Sequence, residues 1–175
     1  DALQCKTGKG DFILYHGNLS ISENYNAACW LIKHVFSKIN HKIIIAGLNP
    51  PSHLIEEIKK HSHIALKQNC TEQEMQSLIE EAQINCLYTE QATGLKLKLL
   101  NVLYSGKFVV ANTNILVGTT LTEACMIANT PKEFIDYINQ FFELEFNNQE
   151  IEKRRKLIEL MNNEEKTKKL IDLFS

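Results

Sequence analysis

The chain has 175 residues, of which 44% are apolar and 23% are charged, and its formal net charge is -2. This length is enough for one domain with a substantial core, and the weak charge argues against nucleic acid or an anionic membrane surface as a partner. Five scattered cysteines without a Cys-x-x-Cys pair indicate free thiols in a reducing compartment, not a zinc site or a disulfide framework. No apolar run is long enough to span a bilayer, so we expect no transmembrane segment.

Predicted strands and helices alternate from the start of the chain. A first strand over residues 12–16 ends at Gly17 and Asn18, and a helix follows from Ser22. Later strands are predicted at residues 42–46, 64–66, 84–88, 108–111 and 126–128. The helices between them are predicted to begin at Pro51 or Ser52, at a capping box formed by Thr71 and Glu74, and near residue 93.

Strands this continuously apolar are typical of a sheet that is buried on both faces. The alternation therefore predicts an α/β fold with a parallel sheet and helices on both of its faces. In such sheets a ligand binds beyond the carboxyl ends of the strands, near the point where the strand order reverses. The candidate binding loops are those after His16, Ala46, Leu66, Tyr88 and Ala111.

The C-terminal part is predicted to be helical. One helix begins at Thr130, which is followed by a proline, and runs to about Glu143. A longer helix begins after Asn147 or Asn148, with a break near residues 162–163. Its many charges of both signs indicate a solvated face with i,i+4 pairs.

Residues 93–105 are the most informative about function. If they are helical, one polar stripe contains Gly94, Lys98, Asn101 and Ser105, and the adjoining apolar face contains Leu95, Leu99, Val102 and Leu103. The alternation Leu-Lys-Leu-Lys-Leu from residue 95 would also suit a half-buried strand, whose lysines would merely be solvated. We favour the helix because the alternation stops after Leu99 and the run ends at Gly106.

A helix that begins here would suit an anionic ligand. Its first turn has unpaired N–H groups and a partial positive charge, Lys98 adds a full charge, and Asn101 adds an amide one turn further on. Together they predict a cradle for a diphosphate and a neighbouring hydroxyl-rich group. The alternative is an ordinary surface helix. Gly17 would let a backbone approach a phosphate closely, unless it only forms a tight turn.

This stretch resembles the C-terminal, donor-binding domain of GT-B glycosyltransferases of the group 1 or family 4 type. That family has a glycine, a helix with a lysine and an acidic or amide residue, and then a Val-Val strand. The matching residues here are Thr93, Gly94, Lys98, Asn101, Gly106, Val109 and Val110. The form is similar to a bacterial branch with asparagine where most members have glutamate. The resemblance covers residues 11–142 and implies a Rossmann-like sheet followed by C-terminal helices.

The chain departs from the family pattern in its charged residues. The family has Gly-Arg after the first strand and then a lysine, both of which bind the donor diphosphate. Asn18 takes the arginine's place here, and Asn24 falls near the lysine's. The resemblance implies that Lys98, with Lys96, compensates for this lost positive charge.

A second departure concerns two glutamates that the family separates by seven residues. Thr93 and Asn101 stand at these positions. The amide of Asn101 can still hold ribose hydroxyls, because it offers one acceptor and two donors. Glu90, three residues before Thr93, could supply a carboxylate.

The resemblance implies the donor-binding half of a metal-independent, hexosyltransferase-like enzyme. Residues 1–145 would bind a nucleoside-diphosphate sugar and residues 146–175 would form a helical extension, while the N-terminal, acceptor-binding half is missing from this chain. The implied catalytic residues are Lys98 and Thr93. The implied substrate-binding residues are His16, Gly17, Asn18, Gly94, Leu95, Lys96 and Asn101.

Further expectations follow from the same resemblance. The enzyme needs no cofactor, is cytoplasmic, and would contact the inner membrane only peripherally through the missing half. The fragment alone should be inactive. GT-B terminal helices often pack across the interdomain cleft, so a lost partner surface is expected at Ile158, Met161, Leu170 and Phe174.

Two other readings stay open. The chain could be a non-catalytic, degenerate Rossmann-like binding module, which the missing basic residues at Asn18 and Asn24 favour. A receiver-like signalling domain would need an acidic cluster at the end of the first strand, where His16, Gly17 and Asn18 offer none.

Overall fold

The computed structural model describes residues 3–92 and 96–173, with the backbone alone for Lys96 and residues 161–173. The strands in this part of the chain are β1 (Ile13–Asn18), β2 (Ile43–Leu48), β3 (Ile64–Gln68), β4 (Ile84–Leu87), β5 (Phe108–Ala111) and β6 (Met126–Ile127). The helices are α1 (Ser22–His34), α2 (Ser52–Lys59), α3 (Glu72–Glu81), α4 (Lys96–Ser105), α5 (Thr113–Leu116), α6 (Pro131–Phe142) and α7 (Asn148–Leu173). Short 3-10 turns lie at Phe36–Lys38 and Thr122–Ala124.

The six strands form one parallel sheet in the order β3-β2-β1-β4-β5-β6. This is the order of the Rossmann fold, and it reverses between β1 and β4. The predicted α/β fold with a parallel sheet is confirmed. The loops after β1 and β4 therefore flank the crevice in which such sheets bind ligands.

Successive strand residues point to opposite sides of the sheet, and helices bury both sides. Ile13 and Tyr15 of β1 pack on one side with α1, α2 and α6, whereas Leu14 packs on the other with α3, α4, α5 and α7. Leu99, Val102 and Leu103 of α4 are fully buried in the second core. The predicted helix and its apolar face are thus confirmed over the described residues, and the strand alternative for the lysine-rich run is wrong.

Two capping boxes explain where α3 and α6 begin. In each, the threonine side chain accepts from the backbone N–H three residues later, and the glutamate there accepts from the threonine's own N–H. The pairs are Thr71 with Glu74 and Thr130 with Glu133. The boxes satisfy N–H groups that a helix start otherwise leaves unpaired. Both predicted helix starts are confirmed.

The helix α7 corrects two expectations. It runs unbroken through Asn162 and Asn163, so the predicted break is wrong. An interior asparagine costs a helix less than about 0.7 kcal/mol relative to alanine, which is too little to end a long helix. Ile158 has not lost a partner surface, since it is 4% exposed and packs into the domain's own second core. The same expectation for Met161, Leu170 and Phe174 lies outside the described side chains.

A buried arginine fixes α7 to the C-terminal end of α4. The guanidinium of Arg154 donates to the carbonyl oxygens of Leu103 at 3.1 Å and Gly106 at 2.6 Å, and also to that of Lys107. It lies 4.9 Å from the centre of the Phe146 ring. The first half of α7 is therefore integrated into the sheet domain. The division into residues 1–145 and 146–175 stays a prediction.

Among the described helices, none combines the length and the apolar character that crossing a bilayer requires.

Candidate functional site

The site forms where the strand order reverses, at the carboxyl ends of β1 and β4. Gly17 of β1 lies opposite Gly47 of β2 in the parallel register. A side chain at Gly47 would collide with the carbonyl oxygen of Gly17, so only glycine lets the two strand ends approach this closely. The result is an open floor of backbone at this edge of the sheet.

The cavity over this floor has a volume of about 500 Å³. Another cavity, of about 540 Å³, lies away from the floor, against α7. We consider the first one because it lies at the carboxyl ends of the strands, where parallel sheets bind ligands. Its lining residues come from β1, β2, the segment before α3, α3 and α4: His16, Gly17, Asn18, Gly47, Leu48, Cys70, Thr71, Glu72, Met75, Gln76 and Asn101. Four of these, His16, Gly17, Asn18 and Asn101, were predicted from the sequence as binding residues.

Lys98 of α4 brings its charge to the same strand end. A methyl group on Gly17 would lie 3.1 Å from Lys98 Nζ, and this nitrogen is 5.3 Å from the centre of the Tyr15 ring. Burial lowers the pKa of Lys98 to about 8, although the nearby Glu23 carboxylate raises it. Lys98 forms no ion pair with a carboxylate of residues 3–92 or 96–173. The Lys98 side chain is half-buried, and its ammonium is partly desolvated and lacks a direct counter-ion there.

His16 is buried beside it, at 7% exposure. Burial, and secondarily the charge of Lys98, lowers the pKa of His16 to about 3. Its Nε2 atom has no hydrogen-bond partner among the described residues. The imidazole is therefore neutral at ordinary pH and adds no positive charge to the site.

The two asparagines that replace the family's basic residues brace the turn between β1 and α1. Asn24 Nδ2 donates to the carbonyl oxygen of Asn18 at 2.9 Å, and Asn18 Oδ1 accepts from the Ser20 hydroxyl at 2.7 Å. The Tyr15 hydroxyl donates to the Asn24 carbonyl oxygen at 2.8 Å. A methyl group on Gly17 would lie 3.2 Å from Asn24 Oδ1, so the Asn24 amide and the Lys98 ammonium approach the same point.

A carboxylate stands on the β4 side of the crevice. Glu23, in the first turn of α1, accepts a short hydrogen bond from the hydroxyl of Thr89, which follows β4. Thr89 is itself held by Asn112, whose Nδ2 donates to the Thr89 carbonyl oxygen at 2.7 Å and whose Oδ1 accepts from the Thr89 N–H at 3.3 Å. Beside them, the rings of Trp30 and Tyr88 stack with centres 4.2 Å apart.

The structure brings together only part of the predicted site. It places Lys98 Nζ beside Gly17 and Asn101 in the lining of the cavity that also contains Gly17, whereas Lys98 is not among the residues that line this cavity. Ser105 is buried and lines a neighbouring cavity of about 370 Å³, which also contains Asn101. The predictions for Thr93, Gly94 and Leu95 lie outside the described residues, as does that for the Lys96 side chain. Glu90 is exposed and is not among the residues that line the cavity.

Sequence reasoning missed the Glu23–Thr89 contact and the cavity residues from β2 and α3. The sequence does place Glu23 near the site, because it stands in the first turn of the helix that follows β1. Its partner Thr89 could not be identified, because 66 residues separate the two along the chain. The described residues contain no cluster of three or more His, Cys, Asp or Glu side chains that could hold a metal ion.

Residues 10–143 of the chain match the family model described as Glycosyl transferases group 1. This match covers more than half of the chain. No curated protein matches the chain in sequence.

Three solved structures with a similar fold are distant in sequence. A mutant of S. aureus TarM, in complex with fondaparinux, α-GlcNAc-glycerol and UDP, is 15% identical with a TM-score of 0.67, over 100% of this chain and 38% of that one. The α,α-trehalose 6-phosphate synthase of Burkholderia multivorans is 9% identical with a TM-score of 0.59, over 84% of this chain and 37% of that one. AviGT4, a glycosyltransferase of avilamycin A biosynthesis, is 16% identical with a TM-score of 0.58, over 87% of this chain and 47% of that one. The chain thus spans less than half the length of each.

Proposed function

Because the chain belongs to the group 1 glycosyltransferases, we propose that it is the donor-binding half of an enzyme that transfers a sugar from a nucleoside-diphosphate sugar to an acceptor. The acceptor would be held by a second half that this chain does not include. One structural neighbour was solved with UDP, which is consistent with a nucleotide donor.

The observation that carries this proposal is the Lys98 ammonium at the strand end. A partly desolvated charge without a direct counter-ion is costly, and a diphosphate bound over Gly17 would remove that cost. In the proposed reaction Lys98 also stabilises the negative charge that develops on the departing diphosphate. One cation on α4 thereby replaces the basic residues that the family has near Asn18 and Asn24.

The other predicted binding residues surround this point. The cavity that His16, Gly17, Asn18 and Asn101 line would hold the nucleoside, with the Asn101 amide bonded to ribose hydroxyls. The predicted contributions of Thr93, Gly94, Leu95 and Lys96 complete the proposal at the start of α4. The transfer as proposed uses no cofactor and no metal ion, and the chain alone binds its donor weakly without catalysing transfer. The five free cysteines support a reducing, cytoplasmic location.

Nucleotide titration tests the proposal. We expect UDP or GDP, with their sugars, to raise the melting temperature of the chain and to bind saturably in calorimetry, since a ligand stabilises the folded state that binds it. Lys98→Met should weaken this binding by about 1.5–3 kcal/mol, the value of a charge-assisted hydrogen bond.

Lys59→Met provides the matched control, because Lys59 is exposed on α2 and away from the cavity. It should leave binding unchanged. Equal nucleotide affinity in the Lys98→Met and wild-type chains would contradict the role of Lys98.

The alternative function is a non-catalytic, degenerate binding module. The asparagines at positions 18 and 24 favour it, because they brace the turn after β1 and bring no positive charge. In that case no nucleoside diphosphate or nucleotide sugar should bind saturably near Lys98.

A further inference from the structure

We propose that Glu23, anchored by Thr89, determines donor specificity by favouring nucleotide sugars with an uncharged sugar over those whose sugar carries a carboxylate. The inference rests on the proposed function and names the substrate class of the same site.

The order of the strands places Glu23 where the transferred sugar would lie. The cavity over Gly17 and Gly47 spans the ends of β1 and β2, whereas Thr89 follows β4, the neighbour of β1 on its other side. Lys98 Nζ lies at Gly17 on β1, the strand between β2 and β4. A donor with its nucleoside in the cavity and its diphosphate at Lys98 therefore extends its sugar towards the Glu23–Thr89 pair.

The contacts of Glu23 leave it able to bind such a sugar. Its Oε1 atom accepts from the Thr89 hydroxyl, and its side chain makes no other hydrogen bond to residues 3–92 or 96–173. The side chain is half-buried. Thr89 is fixed in turn by the paired hydrogen bonds with Asn112, so the carboxylate is held in one position. A fixed carboxylate with an unused oxygen accepts hydrogen bonds from sugar hydroxyls.

The charge balance of the crevice supplies the selectivity. Lys98 contributes one positive charge, His16 is neutral, and Glu23 is close enough to Lys98 to raise its pKa. This one cation of the described side chains already faces a diphosphate with two negative charges. A sugar carboxylate beside Glu23 would add like-charge repulsion with no second cation of the described site to offset it.

The test compares two donors that differ only in the oxidation of C6, UDP-glucose and UDP-glucuronic acid, by calorimetry on the 175-residue chain. If GDP binds and UDP does not, the pair is GDP-mannose and GDP-mannuronic acid. The wild-type chain should bind the uncharged sugar at least about tenfold more tightly, and Glu23→Gln should reduce that ratio by about tenfold. The glutamine keeps the shape and an acceptor for Thr89 but removes the charge.

Three further variants separate this role from a structural one. Glu56→Gln, which changes an exposed glutamate on α2 outside the cavity lining, should leave the ratio unchanged. Thr89→Val, which removes the anchoring hydroxyl, should also reduce the ratio. Thr89→Ser, which keeps the hydroxyl, should retain the wild-type ratio.

The outcomes also separate this inference from the proposed function. Binding of UDP or GDP that depends on Lys98, with a donor ratio that Glu23→Gln does not move, would overturn the inference alone. Absence of all nucleotide binding would overturn the proposed function and this inference with it.

Discussion

A cation lies at each end of α4, a buried arginine at one and a half-buried lysine at the other, and the two differ in their partners. At the C-terminal end, Arg154 donates to three backbone carbonyl oxygens and lies against the Phe146 ring. At the N-terminal end, Lys98 lies over the Tyr15 ring and forms no ion pair within the described part of the chain. Burial lowers the pKa of Lys98 and that of Arg154.

This difference separates a cation that completes the fold from one that we propose binds a ligand. The carbonyl groups that Arg154 binds would otherwise be unpaired at the end of a helix, so the arginine completes the fold. Lys98 satisfies no described backbone group and keeps its hydrogen-bonding capacity for a ligand. Substitutions at the two ends of α4 should therefore affect different properties of the protein.

The largest expected effect is on folding, at the Arg154 end. Arg154→Leu should reduce the free energy of unfolding by about 3 kcal/mol or more, because several buried carbonyl oxygens lose their donor together. Urea unfolding followed by circular dichroism measures the change. Arg155→Leu is the matched control, because Arg155 is exposed and, among the described side chains, forms an ion pair with Glu152 alone. This substitution should change stability by less than about 1 kcal/mol. Equal losses of unfolding free energy in the two variants would contradict the structural role of Arg154.

A smaller effect is expected on the pH dependence of binding at the Lys98 end. Because the pKa of Lys98 is lowered to about 8, diphosphate affinity should fall as the pH rises above this value, approaching about tenfold per pH unit. Among the described residues, the other titratable groups facing Lys98 are His16, Tyr15 and Glu23. His16 is already neutral, and burial raises the pKa of Tyr15, so neither changes charge in this range. Calorimetry with UDP from about pH 7 to about pH 9 tests this, and a flat affinity would show that Lys98 does not carry the interaction.

The smallest expected effect is a gain in stability. Lys98→Met should raise the free energy of unfolding by about 1 kcal/mol, because an apolar side chain of similar length avoids the desolvation of a partly buried ammonium. The gain should shrink as the pH rises from 8 to 10.5, since the folded wild-type chain then loses the lysine proton before the unfolded chain does. Urea unfolding at several pH values measures both. A marked loss of stability would mean that Lys98 is structural, like Arg154.

Local patterns were enough to predict most of the fold. The apolar strands and the capping boxes at Thr71 and Thr130 depend on neighbouring residues only, and helical spacing alone predicts that Lys98 and Asn101 share a stripe. The break predicted near residues 162–163 is wrong, because the low helix propensity of asparagine is too weak to interrupt a long helix.

The rest of the site depends on how distant segments meet. The contact between Glu23 and Thr89 exists because the strand order places β4 next to β1, and hydrophobic periodicity does not determine that order. The same holds for Arg154, whose carbonyl partners lie about fifty residues earlier in the chain. A charged residue in a charge-rich helix gives no local sign that it will be buried.

The stacked pair beside this contact has a practical consequence. Trp30 is the chain's single tryptophan, and its ring lies against Tyr88, which directly precedes Thr89. Its fluorescence emission should respond when the segment after β4 rearranges around a bound molecule. The protein thus contains an intrinsic optical reporter of occupancy, so titrations can be followed without an attached dye.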